Sequence, residues 1–158
     1  MIKLLALDVD GTLTDGGIYM DGQGNELKRF DVQDGYGIAA LLRSGVKVVF
    51  ISGRYSAATA QRAENLGITE CVNGTSEKLA YLIAISEKYG IAQSETAYLG
   101  DDIPDIDCIN WAGIGMATAN ARAEVISVSD WCSTCRGGHG AVRECAEYII
   151  FINGEDSK

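Results

Sequence analysis

Apolar, β-branched runs alternate with amphipathic helical stretches along the chain, and glycines mark most of the joints. That alternation points to a parallel sheet, because parallel neighbours need a long crossover connection and a helix supplies it. Strands are expected at 2–9, at VKVVFIS over 46–52, and within TECVN, TAYLG and GIGM. The unbroken apolar character of VKVVFIS marks a central strand covered on both faces. Ser56 can cap a helix that runs through Leu66 to Gly67, and Ser76 one that runs through Tyr89 to Gly90; another starts at Ala141. The fold class is therefore α/β, a doubly wound parallel sheet.

Residues 17–31 interrupt the pattern. The stretch GIYMDGQGNELKRF has two extended runs around an Asp-Gly-Gln-Gly-Asn turn, and it reads as a β-hairpin inserted after the first strand. Asp34 can then cap a helix over 35–44 that returns the chain to the sheet.

A length of 158 residues suits one domain, 1–158, with a tail over 133–158. Hydrophobic residues make up 47%, with a single proline, so a packed core is expected. Five cysteines, an odd number, fit reduced thiols better than a disulfide framework. The opening MIKLLALDVD has neither the length of a membrane span nor the pattern of a secretory leader, so a cytoplasmic location is expected. A formal net charge of -9 argues against nucleic acid or an anionic membrane as partner. An anionic substrate would then need local cations or a metal.

The chemistry sits where apolar strands run into acid. In LLALDVDGTLTDGG, Asp8 and Asp10 are two apart and share a face at the C-terminal end of a strand, where open α/β sheets bind ligands. Asp15, further on, is a loop residue leading into the hairpin. Paired carboxylates repel unless one is protonated or a divalent cation lies between them, and oxygen ligands suit Mg²⁺. A second acidic group, LGDDIPD, places Asp101, Asp102 and Asp105 at another strand end; if the two strands are neighbours, the clusters meet. Ser52 in ISGR and Lys78 in GTSEKL add a hydroxyl and a cation able to bind phosphate oxygens. Singly, each has an ordinary structural role as a turn cap, a helix cap or a solvated side chain.

Together and in this order, D-x-D-G-T, the serine, the lysine and G-D-D-x-x-D resemble the haloacid dehalogenase superfamily of phosphatases. The resemblance implies a Rossmann-like fold and catalysis by Asp8 as nucleophile and Asp10 as acid and base. It also implies Mg²⁺ held by Asp8, the Asp10 carbonyl and Asp101, with Ser52, Gly53 and Lys78 on the phosphoryl group. Asp102 and Asp105 would bind water or orient the lysine. Phosphate monoester hydrolysis can demand accelerations near 10²¹, roughly 29 kcal/mol, whereas one oriented donor supplies about 3 to 4. The whole constellation is needed.

The spacing leaves no room for a cap domain. Among capless members the chain is most similar to the 3-deoxy-D-manno-octulosonate 8-phosphate phosphatases, through TDGGIYMDGQGNELKRFDVQDGYGI, SGRYS, ENLGI and RGGHGAVREC. That resemblance implies a phosphosugar acid as substrate, a place in lipopolysaccharide biosynthesis, and a homotetramer in which the hairpin packs with its counterparts and neighbours close the site. Arg54 and Arg62 become candidate contacts to the substrate carboxylate or phosphate. A related group acting on a nine-carbon ulosonate 9-phosphate carries Glu at the position of Arg54, so Arg54 favours the eight-carbon acid. Gln33 departs from the basic residue that many octulosonate members have there.

Two readings of other classes compete. Cys132, Cys135, His139 and Cys145 are spaced like a zinc knuckle of an RNA binder, against which the net charge weighs. A phosphorylated receiver domain would place its acceptor aspartate after the third strand, where this chain has Asn73 and Gly74.

Overall fold

The computed structural model describes residues 1–155, so the last three residues of the tail lie outside the described residues. Strand β1 (Leu4–Leu7) is shorter than the apolar run that contains it. The hairpin follows as β2 (Tyr19–Met20) and β3 (Glu26–Leu27), then α1 (Val32–Arg43) and β4 (Lys47–Ser52). Next come α2 (Ala57–Asn65), β5 (Cys71–Asn73), α3 (Lys78–Lys88) and β6 (Thr96–Gly100). The chain continues through α4 (Ile106–Trp111), β7 (Ile114–Ala117), α5 (Ala123–Val128), β8 (Trp131–Cys132) and α6 (Ala141–Glu155).

Six strands form one sheet in the order β5-β4-β1-β6-β7-β8, with every neighbour parallel. The chain builds outward from β1 through β4 to β5, then crosses back to β6 on the other side. β1 therefore lies where the winding reverses, the place at which such sheets open a crevice at their carboxyl ends.

Successive side chains along each strand serve opposite layers, and those two apart serve the same one. Leu5, Leu7, Val48 and Phe50 pack with Ile38 and Leu41 of α1 and Val142 and Ile149 of α6. Leu4, Ala6, Val49 and Ile51 face Leu82 and Ile85 of α3, Ile109 of α4 and Val125 of α5. Each such fully buried aliphatic side chain contributes about 1.5 to 3 kcal/mol. The helix layers cover the sheet on both faces, and among the described residues no cap domain is inserted.

Two helix starts differ from the sequence expectation. α1 begins three residues before Gly35, because Asp31 takes the cap: its Oδ1 accepts from the Gln33 amide at 2.7 Å. α3 begins at Lys78 rather than after a Ser76 cap, since the Thr75 hydroxyl accepts the Glu77 amide at 3.0 Å and closes a turn first. Ser56 does precede α2, but its hydroxyl makes no cap bond; the Asn73 side chain brackets its backbone instead. The hairpin forms as expected, pairing Tyr19 with Leu27 and Met20 with Glu26 around a turn in which Asp21 accepts the Gln23 and Asn25 amides.

Freed from capping its own helix, Asp34 reaches across to another. Its carboxylate is buried, Oδ1 accepts from the Arg143 amide in the first turn of α6 at 2.9 Å, and Oδ2 has no partner. Burial pushes its pKa up to about 6, against the opposing pull of the Arg143 amide. A carboxyl raised in the folded state contributes stability that is complete below about pH 4 and is lost as pH rises through about 6. Asp34→Asn keeps an acceptor and removes the titration. The difference between wild type and this variant in urea-unfolding free energy should change by about 2 kcal/mol between pH 4 and pH 7, favouring the variant at the upper end. Parallel pH profiles would show that Asp34 does not titrate in this range.

Candidate active site

Three adjacent strands, β4, β1 and β6, end side by side, and each delivers a polar group to the same rim. Asp8 leaves β1 with its amide donating to the Leu99 carbonyl at 3.0 Å, which stitches the loop after β1 to β6. The acidic clusters meet as the neighbour relation requires: Asp8, Asp101 and Asp105 offer carboxylate oxygens all within 4.8 Å of one another. Only glycine fits between them, since a Cβ on Gly11, whose φ is +90°, would stand 2.1 Å from Asp101 Oδ2.

Lys78, at the start of α3, donates to Asp8 Oδ1 at 2.6 Å and to Asp105 Oδ1 at 2.8 Å, with its side chain 7% exposed. Tyr98 donates to the same Asp105 oxygen at 2.7 Å, and the Asp101 and Asp102 amides donate to the other at 3.0 and 3.1 Å. All of Asp105 is thus occupied in holding Lys78 and the loop after β6. Asp101 accepts from the Thr12 hydroxyl at 3.1 Å.

Burial and the charge of Asp105 raise the Asp8 pKa well above the carboxylate range, with Lys78 pulling it back. Burial likewise pushes Asp101 up to about 6. Burial disfavours the Lys78 ammonium, but Asp8 and Asp105 outweigh it and hold the group above its ordinary value. Three carboxylates stand against one ammonium in a dry site, an excess of negative charge that a divalent cation would balance. The donor set is all oxygen, as a hard cation requires, and with Asp105 fully engaged the side chains left to bind one are Asp8 and Asp101.

A cavity of about 150 Å³ opens onto these groups, lined by Asp8, Asp10, Gly53, Arg54, Lys78, Asp102, Pro104 and Asp105. The fold thus brings Asp10, Gly53, Arg54 and Asp102 to one cavity wall. Ser52 is buried at the rim, its hydroxyl donating to the Arg54 carbonyl at 2.8 Å and shaping the turn after β4. Arg62 does not reach this cavity: it stacks on Phe30, donates to the Asp31 carbonyl at 3.3 Å and lines a separate hollow beside the hairpin. Its guanidinium braces the hairpin against α1 instead.

Several groups at the site went unread in the sequence. Tyr98 is internal to an apolar segment and carries no signal of its own, and Thr12 enters the sequence only as the last residue of D-x-D-G-T, which does not show its contact with Asp101. Asn120 bridges two loops, its Nδ2 donating to the Gly11 carbonyl at 3.0 Å and its Oδ1 accepting the Gly137 amide at 2.6 Å. Glu26 and Lys28 come in from the hairpin; the pattern Glu-Leu-Lys on an extended strand, charged residues two apart around an apolar one, was the available clue. The zinc-knuckle spacing does not produce a site. Cys145 points into the core with its sulfur 3.5 Å from that of Met116, and among the described residues the one cluster of potential metal ligands is the aspartate group.

A model of the haloacid dehalogenase-like hydrolase family matches residues 68–143. The 3-deoxy-D-manno-octulosonate 8-phosphate phosphatase KdsC of Escherichia coli K12 is 42% identical over 154 residues, covering 98% of this chain and 82% of that protein. Among solved structures, the Moraxella catarrhalis 3-deoxy-D-manno-octulosonate 8-phosphate phosphatase, in complex with magnesium, phosphate and KDO, is 45% identical. It superposes with a TM-score of 0.92 over 94% of this chain and 86% of that one. The Yersinia pestis phosphatase of the same name gives 39% identity and a TM-score of 0.93 over 95% of this chain and 81% of that one. Identity at this level across nearly the whole chain settles the relationship: the chain belongs to the 3-deoxy-D-manno-octulosonate 8-phosphate phosphatases among the haloacid dehalogenase-like hydrolases, and it is a phosphatase.

Proposed function

We propose that this phosphatase hydrolyses 3-deoxy-D-manno-octulosonate 8-phosphate through an aspartyl-phosphate on Asp8. The observation that carries the reading is the Asp8 carboxylate, buried beside the cavity with Lys78 2.6 Å from one oxygen. Asp8 attacks phosphorus, the bond from phosphorus to the sugar oxygen breaks, and Asp10 gives its proton to the departing alkoxide. Asp10 then takes a proton from water as it attacks the phosphoenzyme, releasing phosphate and returning Asp8. Lys78 and the backbone around Ser52 and Gly53 hold the phosphoryl oxygens, while Asp105 fixes Lys78.

Mg²⁺ would be held by Asp8, the Asp10 carbonyl and Asp101, and when bound it supplies positive charge to the phosphoryl oxygens. Arg54, at the cavity wall with its guanidinium 4.0 Å from Asp10, is placed to take the carboxylate of the sugar acid. Asp102, on the same wall, faces water. The domain works as a single unit, 1–158, in the cytoplasm; among the described residues no helix is long and apolar enough to cross a membrane.

The hairpin supports assembly into a homotetramer. Ile18, Tyr19, Met20 and Leu27 are all exposed on it, and Val32 and Tyr36 continue the apolar surface onto α1. An apolar patch of this kind is what an interface covers.

Phosphate release should be fastest with the eight-carbon ulosonate phosphate in a panel that includes the nine-carbon analogue and neutral sugar phosphates. It should cease with EDTA and return with Mg²⁺; no turnover of any substrate by folded protein would refute the proposal. Asp8→Asn should lower kcat by a factor on the order of 10⁴ or more while far-UV circular dichroism stays unchanged. Near-normal turnover in that variant would rule out covalent catalysis at Asp8. Replacing both Met20 and Leu27 with Glu should give a smaller species by light scattering, and an unaltered mass would remove the hairpin from the interface.

A further inference from the structure

The inward side of the hairpin carries a feature that assembly does not explain. Glu26 and Lys28, two apart, point toward the site, while Leu27 between them is exposed. The Lys28 side chain is 1% exposed, a rare position for lysine. Its ammonium pairs with Asp10 Oδ1 and stands 3.0 Å from Glu26 Oε1. The other Glu26 oxygen accepts from Arg54 at 2.8 Å, and Arg54 returns to within 4.0 Å of Asp10 Oδ2. Four charged groups from three separate segments, the loop after β1, the hairpin and the loop after β4, close a ring at the cavity wall.

We propose that Lys28 is a positioning residue for proton transfer: it pins one oxygen of Asp10 so that the other faces the ester oxygen of the substrate. Asp10 sits on a loop beyond the end of β1, where a side chain without an anchor exchanges among rotamers. A general acid must stand within about 2.6 to 3.2 Å of the atom it protonates, and a displacement near 1 Å can cost about 100-fold. The Lys28 ammonium occupies Oδ1 and leaves Oδ2 as the transferring oxygen. Glu26 serves the same ring, holding both Lys28 and Arg54, so the grip on Asp10 and the placement of Arg54 are set by one strand of the hairpin.

The inference rests on Asp10 being the acid of the first step, and the test separates the two. Values of kcat/KM, which end at phosphoenzyme formation, are compared for three esters: the ulosonate phosphate, a neutral hexose 6-phosphate and p-nitrophenyl phosphate. Alkoxide departure from the first two needs a proton, whereas the nitrophenolate leaves without one. In Lys28→Met the ratio of alkyl to aryl kcat/KM should fall at least about tenfold for both alkyl esters, and Lys28→Arg should restore most of it. Lys28→Gln gives the same reading if the methionine variant does not fold. Equal losses on all three esters would reduce Lys28 to a structural role, and a loss confined to the carboxylated substrate would make it a substrate contact; either overturns the inference. Asp10→Asn run in parallel should show the same selective loss. If it does and Lys28→Met does not, the inference alone fails; if it does not, the assignment of Asp10 fails with it.

Discussion

Lys78 stands 2.6 Å from Asp8 and 2.8 Å from Asp105 with almost no exposure to water, so its placement constrains everything around it. An ammonium removed from water is tolerable only with carboxylates in contact, and those carboxylates are tolerable only with it. Removing one member of such a group leaves the others as uncompensated buried charges, at a cost of about 3 to 5 kcal/mol. Asp105 can play its part because Tyr98 and the Asp101 and Asp102 amides satisfy its remaining lone pairs. The start of α3, the turn after β6 and the end of β1 are locked to one another through a single cation.

Around that centre the loops interlock through backbone contacts close enough to exclude side chains. A Cβ on Gly137 would lie 1.8 Å from the Gly11 carbonyl, so the tail crosses directly over the turn that carries the acids. The Gly138 amide donates to the Thr12 carbonyl at 3.2 Å, and Arg29 of the hairpin donates to the Gly138 carbonyl at 2.6 Å. Asp34 belongs to the same construction, because by binding the first turn of α6 from α1 it sets where the 133–140 segment must land. Burying that carboxylate with one unpartnered oxygen works against stability at neutral pH, and the position of the tail is what it secures.

The acidic pair was legible because both residues directly follow the apolar run of β1, and a strand end in an open sheet means the crevice; β1 itself stops at Leu7, so the turn rather than strand periodicity brings Asp8 and Asp10 to one cavity. Lys78 was found as a residue but not as a buried one, since nothing in GTSEKL distinguishes an inward lysine from a solvated one. Lys28 and Glu26 were missed for a different reason. The Glu-Leu-Lys alternation marks a face, but which way that face points depends on how the hairpin folds back over the site, a long-range packing outcome that two short strands do not encode. Asp31 and Asp34 are both competent caps by chemistry, and the choice between them was made by the need of α6, more than a hundred residues away. Arg62 and β8 show the same limit, the first because a helix-surface arginine can turn toward either of two hollows, the second because two residues of strand carry no period.

The hairpin supplies a capless site with a wall, and its exposed face is the surface that the proposed tetramer would cover. Along β3 and the residue after it, Glu26 and Lys28 face the acids while Leu27 faces out, and Tyr19, its partner on the paired strand, is exposed beside it. A strand whose inner face is charged and whose outer face is apolar inverts the usual order, and the inversion is stable only if the inner charges are paired and the outer surface is covered. Because side chains alternate with period two, a slip of one residue would carry Leu27 into the cavity and expel Lys28 from it. Whatever grips the outer face therefore fixes the register of the inner one. In the proposed tetramer, assembly and the geometry at Asp10 would both follow from one strand's register, and loosening the outer contact would disturb the charge ring without touching any of its members.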